Sequence, residues 1–303
     1  MLTRHPSAKL NLGLHVLRRR PDGYHDIDTV LLPIGWHDVL SAERAPNGSV
    51  TLSCSDPALP TDGRNLVVRA AHALQAWAAD HGGDPWTLGA RLHLEKRIPY
   101  GAGLGGGSSD AAQALRLLTT LWALDVPPAD LHAIAARLGS DVPFFLHDQP
   151  MRACGTGTTL TPLTCEAGAM YACPHAFVVA MPDVQVATAH AYGLITPSDD
   201  ARADLAAVVC SNDPVHWQEA LVNDFEAPIL AQTPSIAVAK HQLLEAGAGY
   251  AAMTGSGAAV FGVFEDAAMA LDAAEVLHAA GCTTWCSASA DAGVRPSRQR
   301  SAS

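Results

Sequence analysis

Pro99-Tyr100-Gly101-Ala102-Gly103-Leu104-Gly105-Gly106-Gly107-Ser108-Ser109-Asp110-Ala111-Ala112 is the segment on which the fold turns. Five glycines fall within seven residues and lead straight into a strongly periodic stretch. Ala111, Leu115, Leu118 and Trp122 lie on one face of a helix predicted over residues 108–124. Without Cβ atoms the loop backbone turns tightly and lets its N–H groups approach an anion. The free N–H groups and the positive dipole end of the following helix point the same way. Ser108 and Ser109 add hydroxyls for phosphate oxygens or a metal ion. A phosphate-binding loop at the start of a helix is therefore expected.

Two familiar phosphate loops are poor matches. Gly101–Gly106 satisfies GxGxxG, and Asp125 stands about where a dinucleotide-binding acid would be sought. The preceding Glu95-Lys96-Arg97 and Pro99 do not resemble a buried parallel strand, and Asp125 precedes Pro127-Pro128 at a helix end. No Lys-Ser/Thr pair follows the glycines, which excludes a Walker A loop.

Working outward, residues 91–96 alternate and predict a strand, and residues 65–79 predict a helix. Toward the N-terminus, strands are expected at 8–16, 28–34, 38–41 and 49–53, with Pro21-Asp22-Gly23 and Pro46-Asn47-Gly48 as turns. The run Arg18-Arg19-Arg20 reads as a solvated hairpin turn. Toward the C-terminus, Pro127-Pro128 opens a helix with a stripe of Leu131, Ile134, Ala135 and Leu138, and Gly139 stands where a C-terminal glycine cap belongs. Pro143 then starts another turn of helix. Beyond about residue 160 the pattern restarts, with strands at 176–181 and 259–264 and helices at 200–209, 215–221, 236–245 and 266–280. This predicts a mixed α/β (α+β) protein with domains over residues 1–159 and 160–290, and a frayed tail over 291–303.

Composition narrows the function classes. Hydrophobic residues are 49% and charged residues 16% of the chain, which suits a well-buried globular protein. The net charge of −11 argues against nucleic-acid binding. Apolar runs are too short for a membrane span, and Arg4, His5 and Lys9 precede no long apolar segment, so neither a membrane nor a secretory signal is expected. Seven cysteines without CxxC spacing read as a reduced, cytoplasmic chain, and Cys282 with Cys286 lacks a second ligand pair at zinc spacing.

Three ordered segments resemble the motifs of the GHMP kinases. They are Ser7-Ala8-Lys9-Leu10-Asn11-Leu12, the glycine loop over 99–112, and Met253-Thr254-Gly255-Ser256-Gly257-Ala258. Asp22-Gly23-Tyr24-His25, Gly139–Phe145 and Asn223-Asp224-Phe225-Glu226 resemble one branch, whose substrate is a cytidine diphosphate alcohol of non-mevalonate isoprenoid synthesis. The resemblance implies a GHMP kinase two-domain fold, with a ribosomal-protein-S5-like N-terminal domain, a ferredoxin-like C-terminal domain and an active site between them. It implies ATP and Mg2+ as cofactors. Another small-alcohol kinase of the family, or a non-catalytic nucleotide-binding homologue, is the alternative.

Residue by residue, Asp141 is the candidate base, following a helix cap and preceding a proline; a plain N-cap is the competing reading. Lys9 lies in an apolar strand where burial would demand a partner; a solvent-facing lysine is the alternative. The resemblance pairs the two as catalytic residues. It assigns ATP binding to Pro99, Gly101, Ala102, Gly103, Leu104, Gly105, Gly106, Gly107, Ser108 and Ser109, with Ser109 also the candidate metal ligand. Asn11 shares a strand face with Lys9 and is expected to bind substrate. The resemblance implies that Tyr24 stacks on cytosine and His25 reads its edge, with packing of a hairpin tip the competing reading for both, and that Tyr192 stacks from the other domain, where the family more often has phenylalanine. Thr188 is expected at the substrate phosphates, and Thr254, Gly255, Ser256 and Gly257 near the transferred phosphoryl group. Asn65 and Leu66, with Lys96, are candidates to border the adenine. Thr158 stands where the family pattern leads to glutamate.

Overall fold

A computed structural model gives the fold and describes residues 1–165 and 168–288. The tail expected over 291–303 lies outside the described residues, as does the end of the second predicted domain. In chain order the first strands are β1 (Leu2–Arg4), β2 (Ser7–Arg19), β3 (His25–His37), β4 (Val39–Ala45) and β5 (Val50–Cys54). Then come α1 (Leu66–Asp80), β6 (Gly89–Glu95), α2 (Gly106–Trp122), α3 (Pro128–Leu138), β7 (Met151–Gly155), β8 (Thr159–Pro162) and β9 (Ala176–Met181). The rest are α4 (Thr188–Gly193), α5 (Leu205–Cys210), α6 (Pro214–Ala220), α7 (Glu226–Gln232), α8 (Pro234–Glu245), β10 (Tyr250–Met253), β11 (Val260–Phe264), α9 (Ala267–Ala279) and β12 (Thr283–Cys286).

Two compact units interleave along the chain. The first comprises Met1–Ala8, His37–Tyr100 and Gly105–Asp148; the second comprises Lys9–Trp36, Gly101–Leu104 and the chain from Gln149 onward.

In the first unit the sheet runs β1-β4-β6-β5, antiparallel except for β5 beside β6. Helix α2 packs against α1, α3 and β4. Its predicted stripe of Ala111, Leu115, Leu118 and Trp122 is buried as expected. Each buried leucine there contributes roughly 2 kcal/mol of transfer free energy. Trp122 satisfies its indole by donating to the Gly89 carbonyl at 3.1 Å. The helix begins at Gly106, inside the triple glycine, because Gly105 takes a left-handed conformation (φ 72°) and starts the turn itself. Helix α3 ends at Gly139 as predicted, but that residue is extended (φ 174°) rather than left-handed. Gly139 is the expected C-terminal cap, its N–H donating to the Ala135 carbonyl, and the chain turns next at 140–143.

The second unit holds two four-stranded sheets. One runs β2-β3-β7-β8. The other runs β10-β11-β9-β12, wholly antiparallel, with α8 and α9 packed on it. That strand order is the ferredoxin-like arrangement. Its core gathers Val178, Phe225, Ile236, Leu243, Val260, Phe264 and Leu277, and β2 adds Leu14 and Val16. Strand β2 is buried continuously from Ala8 to Val16 rather than on one face. Arg18 and Arg20 at the β2–β3 hairpin both pair with Asp26, at 2.5 and 2.9 Å, so the arginine run is braced and not merely solvated. Helix α5 starts at Leu205, later than the predicted 200, where Asp204 caps the Ala206 N–H.

The expectation of a fully reduced chain is corrected at one pair. Cys165 and Cys210 form a disulfide across a sequence separation of 45 residues, which no spacing rule could have found. Cys54, Cys154, Cys173, Cys282 and Cys286 remain free thiols.

Candidate active site

The glycine loop divides its residues between the units, with Gly101–Leu104 in the second and Gly105 onward in the first. Gly101, Gly103 and Gly105 are left-handed (φ 72°, 78° and 72°), while the intervening Ala102 and Leu104 are buried. At Gly103 a Cβ would lie 2.2 Å from the Thr254 carbonyl oxygen, so only glycine fits.

Within the second unit the three motif segments meet. The Lys9 N–H donates to the Leu104 carbonyl (3.0 Å) and the Ala259 N–H to the Ala102 carbonyl (3.1 Å), and Thr254 Oγ1 lies 3.4 Å from the Gly103 carbonyl oxygen. Lys9 and Asn11 are each 3% exposed, so Lys9 is not a solvent-facing strand residue. The Lys9 ammonium donates to Asn11 Oδ1. Asn11 also donates through Nδ2 to Thr29 Oγ1 (3.0 Å), and Thr254 Oγ1 donates to Asn11 Oδ1 (3.2 Å). Asn223 Nδ2 donates to the carbonyls of Met253 and Gly255 (2.7 and 2.9 Å), fixing the third motif from behind. Thr188 Oγ1 and Ser256 Oγ lie 3.1 Å apart. Gly255 and Gly257 are left-handed as well.

His25, at the start of β3, stacks on Tyr192 (ring centroids 4.6 Å apart), and Tyr192 meets Phe225 edge-on. Tyr24 is 64% exposed beside them. Arg152 grips Asp28 through two N–H groups (2.9 and 2.7 Å) and also reaches Asp204. Thr156 and Thr158 pair through their hydroxyls at 3.2 Å, which is where the departure at Thr158 leaves that loop.

In the first unit α2 opens with free N–H groups on Gly106, Gly107 and Ser108, since the Ser109 N–H is the first to find its helical carbonyl, on Gly105. Ser108 is half-buried, whereas Ser109 is fully buried with an unpartnered hydroxyl. Beneath this turn lies a cluster that sequence reading did not assemble. The Lys96 ammonium pairs with Asp38 and, at 2.8 Å, with Asp110. Asp38 Oδ1 also accepts the N–H groups of Arg97 and Ile98 (2.5 and 2.9 Å). Burial pushes the Asp110 carboxyl up to about 7, against the pull of Lys96, and leaves its Oδ1 unpartnered. Burial works to lower the Lys96 ammonium, but the two aspartates outweigh it and the net shift is upward. Lys96, a candidate for the adenine border, is thus committed to Asp38 and Asp110. Asn65 caps α1 by accepting from the Val67 N–H and donates to the Pro60 carbonyl. Asp141 stands half-buried in the turn before Pro143. Among the described residues no group of three or more His, Cys, Asp or Glu could hold a metal ion, and no helix is long and apolar enough to cross a membrane.

Comparison with known proteins agrees with this geometry. The profile of the GHMP kinases N terminal domain matches residues 65–149, and that of the GHMP kinases C terminal matches residues 199–281. A 4-diphosphocytidyl-2-C-methyl-D-erythritol kinase of Salinibacter ruber is 49% identical over 271 residues, covering 89% of this chain and 92% of its own. That of Chlorobium chlorochromatii is 40% identical, covering 90% of this chain and 91% of its own. A crystal structure of 4-(cytidine 5'-diphospho)-2C-methyl-D-erythritol kinase superposes with a TM-score of 0.75 at 36% identity, covering 97% of this chain and 98% of that one. A mevalonate kinase shares the fold at 10% identity, with a TM-score of 0.70. The chain belongs to the GHMP kinase family, among the 4-diphosphocytidyl-2-C-methyl-D-erythritol kinases.

Proposed function

We propose that this kinase transfers the γ-phosphoryl group of ATP to the 2-hydroxyl of 4-diphosphocytidyl-2-C-methyl-D-erythritol, in the non-mevalonate route to isoprenoids. The observation that carries the reading is the meeting of Lys9, Gly101–Leu104 and Thr254 in one hydrogen-bonded knot. The names of relatives that match over most of the chain support the substrate. So does the His25–Tyr192 stack with Tyr24 beside it, since a flat base needs aromatic faces and a simple alcohol does not.

In this reading the substrate hydroxyl attacks the γ-phosphorus and the bond to the bridging oxygen of ADP breaks. Asp141 takes the hydroxyl proton, and Lys9 lowers the cost of the developing alkoxide. The free N–H groups of Gly106–Ser108 and the flanking loop hold the phosphates against the helix dipole. Asn11 and Thr188 bind the substrate, and Thr254–Gly257 stands by the transferred group. The orphaned Ser109 hydroxyl fits an oxygen donor to Mg2+, which would take its remaining ligands from phosphates and water. When bound, Mg2+ neutralises phosphate charge. Along the chain the ATP-binding domain is assigned to residues 1–159 and the C-terminal domain to 160–290, a linear division that the interleaved compact units do not follow, and the enzyme works in the cytoplasm without nucleic-acid or membrane partners.

The test is ATP consumption by purified protein with Mg2+ and the cytidine substrate, against galactose, homoserine and mevalonate. Turnover with the cytidine compound alone is expected. Turnover with a control and not with the cytidine compound would overturn the substrate.

A further inference from the structure

We propose that Thr29 is a positioning residue for the Lys9 ammonium, acting through the side-chain amide of Asn11. The inference rests on the reading of Lys9 as catalytic and adds a residue that no motif singles out. Thr29 lies on β3 and is 1% exposed. Its hydroxyl sits 2.6 Å from the Gly13 carbonyl oxygen and 3.0 Å from Asn11 Nδ2.

Donor and acceptor accounting fixes the polarity of this chain. A threonine hydroxyl has one proton. The Gly13 carbonyl can only accept, so the proton goes there, and only lone pairs face Asn11. The amide of Asn11 has an acceptor end and a donor end of nearly the same shape, and its neighbours decide which way it points. With Thr29 presenting lone pairs, the NH2 end must face Thr29. The carbonyl end then faces Lys9 Nζ and Thr254 Oγ1, as observed. Turned over, the amide would set its NH2 against the ammonium, donor to donor, and its oxygen against the Thr29 lone pairs. Both mismatches would be buried and costly.

Gly13 is part of the device. It is left-handed (φ 74°) in the middle of β2, and Leu205 packs so closely that a Cβ there would lie 2.6 Å from Leu205 Cδ2. The Asn11 N–H, for its part, donates to Thr254 Oγ1 at 3.2 Å. The acceptor that orients Lys9 is therefore held from β3 through Thr29 and from the third motif through Thr254.

The test uses the full chain, saturating ATP with Mg2+, and the cytidine substrate. Thr29→Val keeps the shape and removes the hydroxyl. It is expected to lower kcat about tenfold, with KM for ATP unchanged within about twofold. Thr29→Ser keeps the hydroxyl and is expected to restore most of kcat. Lys9→Met, measured alongside, sets the floor. An active Lys9→Met would overturn the catalytic reading of Lys9 and the relay with it. An inactive Lys9→Met beside a folded Thr29→Val of normal kcat would overturn the relay alone. Equal losses in the valine and serine variants would reduce Thr29 to a packing residue and overturn it too. If the valine variant does not fold, Thr29→Cys carries the test, because a thiol of similar size accepts weakly; its kcat is expected to fall, and an unchanged value overturns the proposal.

Discussion

Asp141 sits one residue before Val142-Pro143 in a turn of the first unit, and asparagine is the smallest change that removes its basicity. Asp141→Asn is expected to lower kcat by roughly 10²–10⁴ while ATP still binds, as measured by turnover and by nucleotide titration. A variant with near-normal turnover would remove Asp141 as the base. Tyr24→Ala separates substrate from nucleotide. KM for the cytidine compound is expected to rise about tenfold, the worth of one base–aromatic stack, with KM for ATP unmoved. Equal losses for both would mean that Tyr24 holds the hairpin and not the base. At this scale the sequence was legible where a contact joins near neighbours in the chain, as in Lys9 with Asn11. It was silent on Thr29 and Asp38, whose partners come from other strands. A threonine in an apolar strand looks like any β-branched filler until the facing amide is known.

The elements around the glycine loop are tied by charge as well as by packing. Lys96 follows β6, Asp110 lies in α2, and Asp38 joins β3 to β4, so one ammonium pins the entry and the exit of the loop. Asp38 is fully buried and Asp110 nearly so. Lys96→Met would strand two carboxylates without a counter-charge, and is expected to destabilise the fold by about 3–5 kcal/mol in denaturant unfolding. Asp110→Asn leaves the Lys96–Asp38 pair intact and is expected to cost far less, since the Asp110 carboxyl is already pushed toward its neutral form. A Lys96→Met variant as stable as the parent would show that the cluster carries no such strain. Helix α2 was readable from its stripe, and its early start at Gly106 was hidden only because a left-handed glycine substitutes for a side-chain cap. Strands β7 and β8 were not predicted: they are short, and Gly155 and Gly157 interrupt any period.

At the level of the whole molecule, the three motifs and the repeated strand–helix pattern were enough to foresee the two-domain family fold. The interleaving of its compact units was not legible, because it depends on which distant strands pair. Nor was the Cys165–Cys210 bond. Closing a loop of 45 residues is worth about 4 kcal/mol in the chain-entropy account. Cys210→Ser is therefore expected to lower the unfolding midpoint clearly under oxidising conditions, and thiol titration of unfolded, unreduced protein should find five reactive thiols. Seven would mean that the bond does not form, as a glutathione-rich cytoplasm would favour. The pairing of β3 with β7 has a further consequence, for synthesis on the ribosome. The β2–β3 hairpin emerges early, but the strand that covers its far edge emerges only after all of α1, α2 and α3. At roughly 5–20 residues per second the nascent hairpin waits on the order of ten seconds with Val30-Leu31-Leu32 on an open edge. Slower elongation lengthens that exposure, so yield of soluble protein should depend on chaperone capture of this one hairpin.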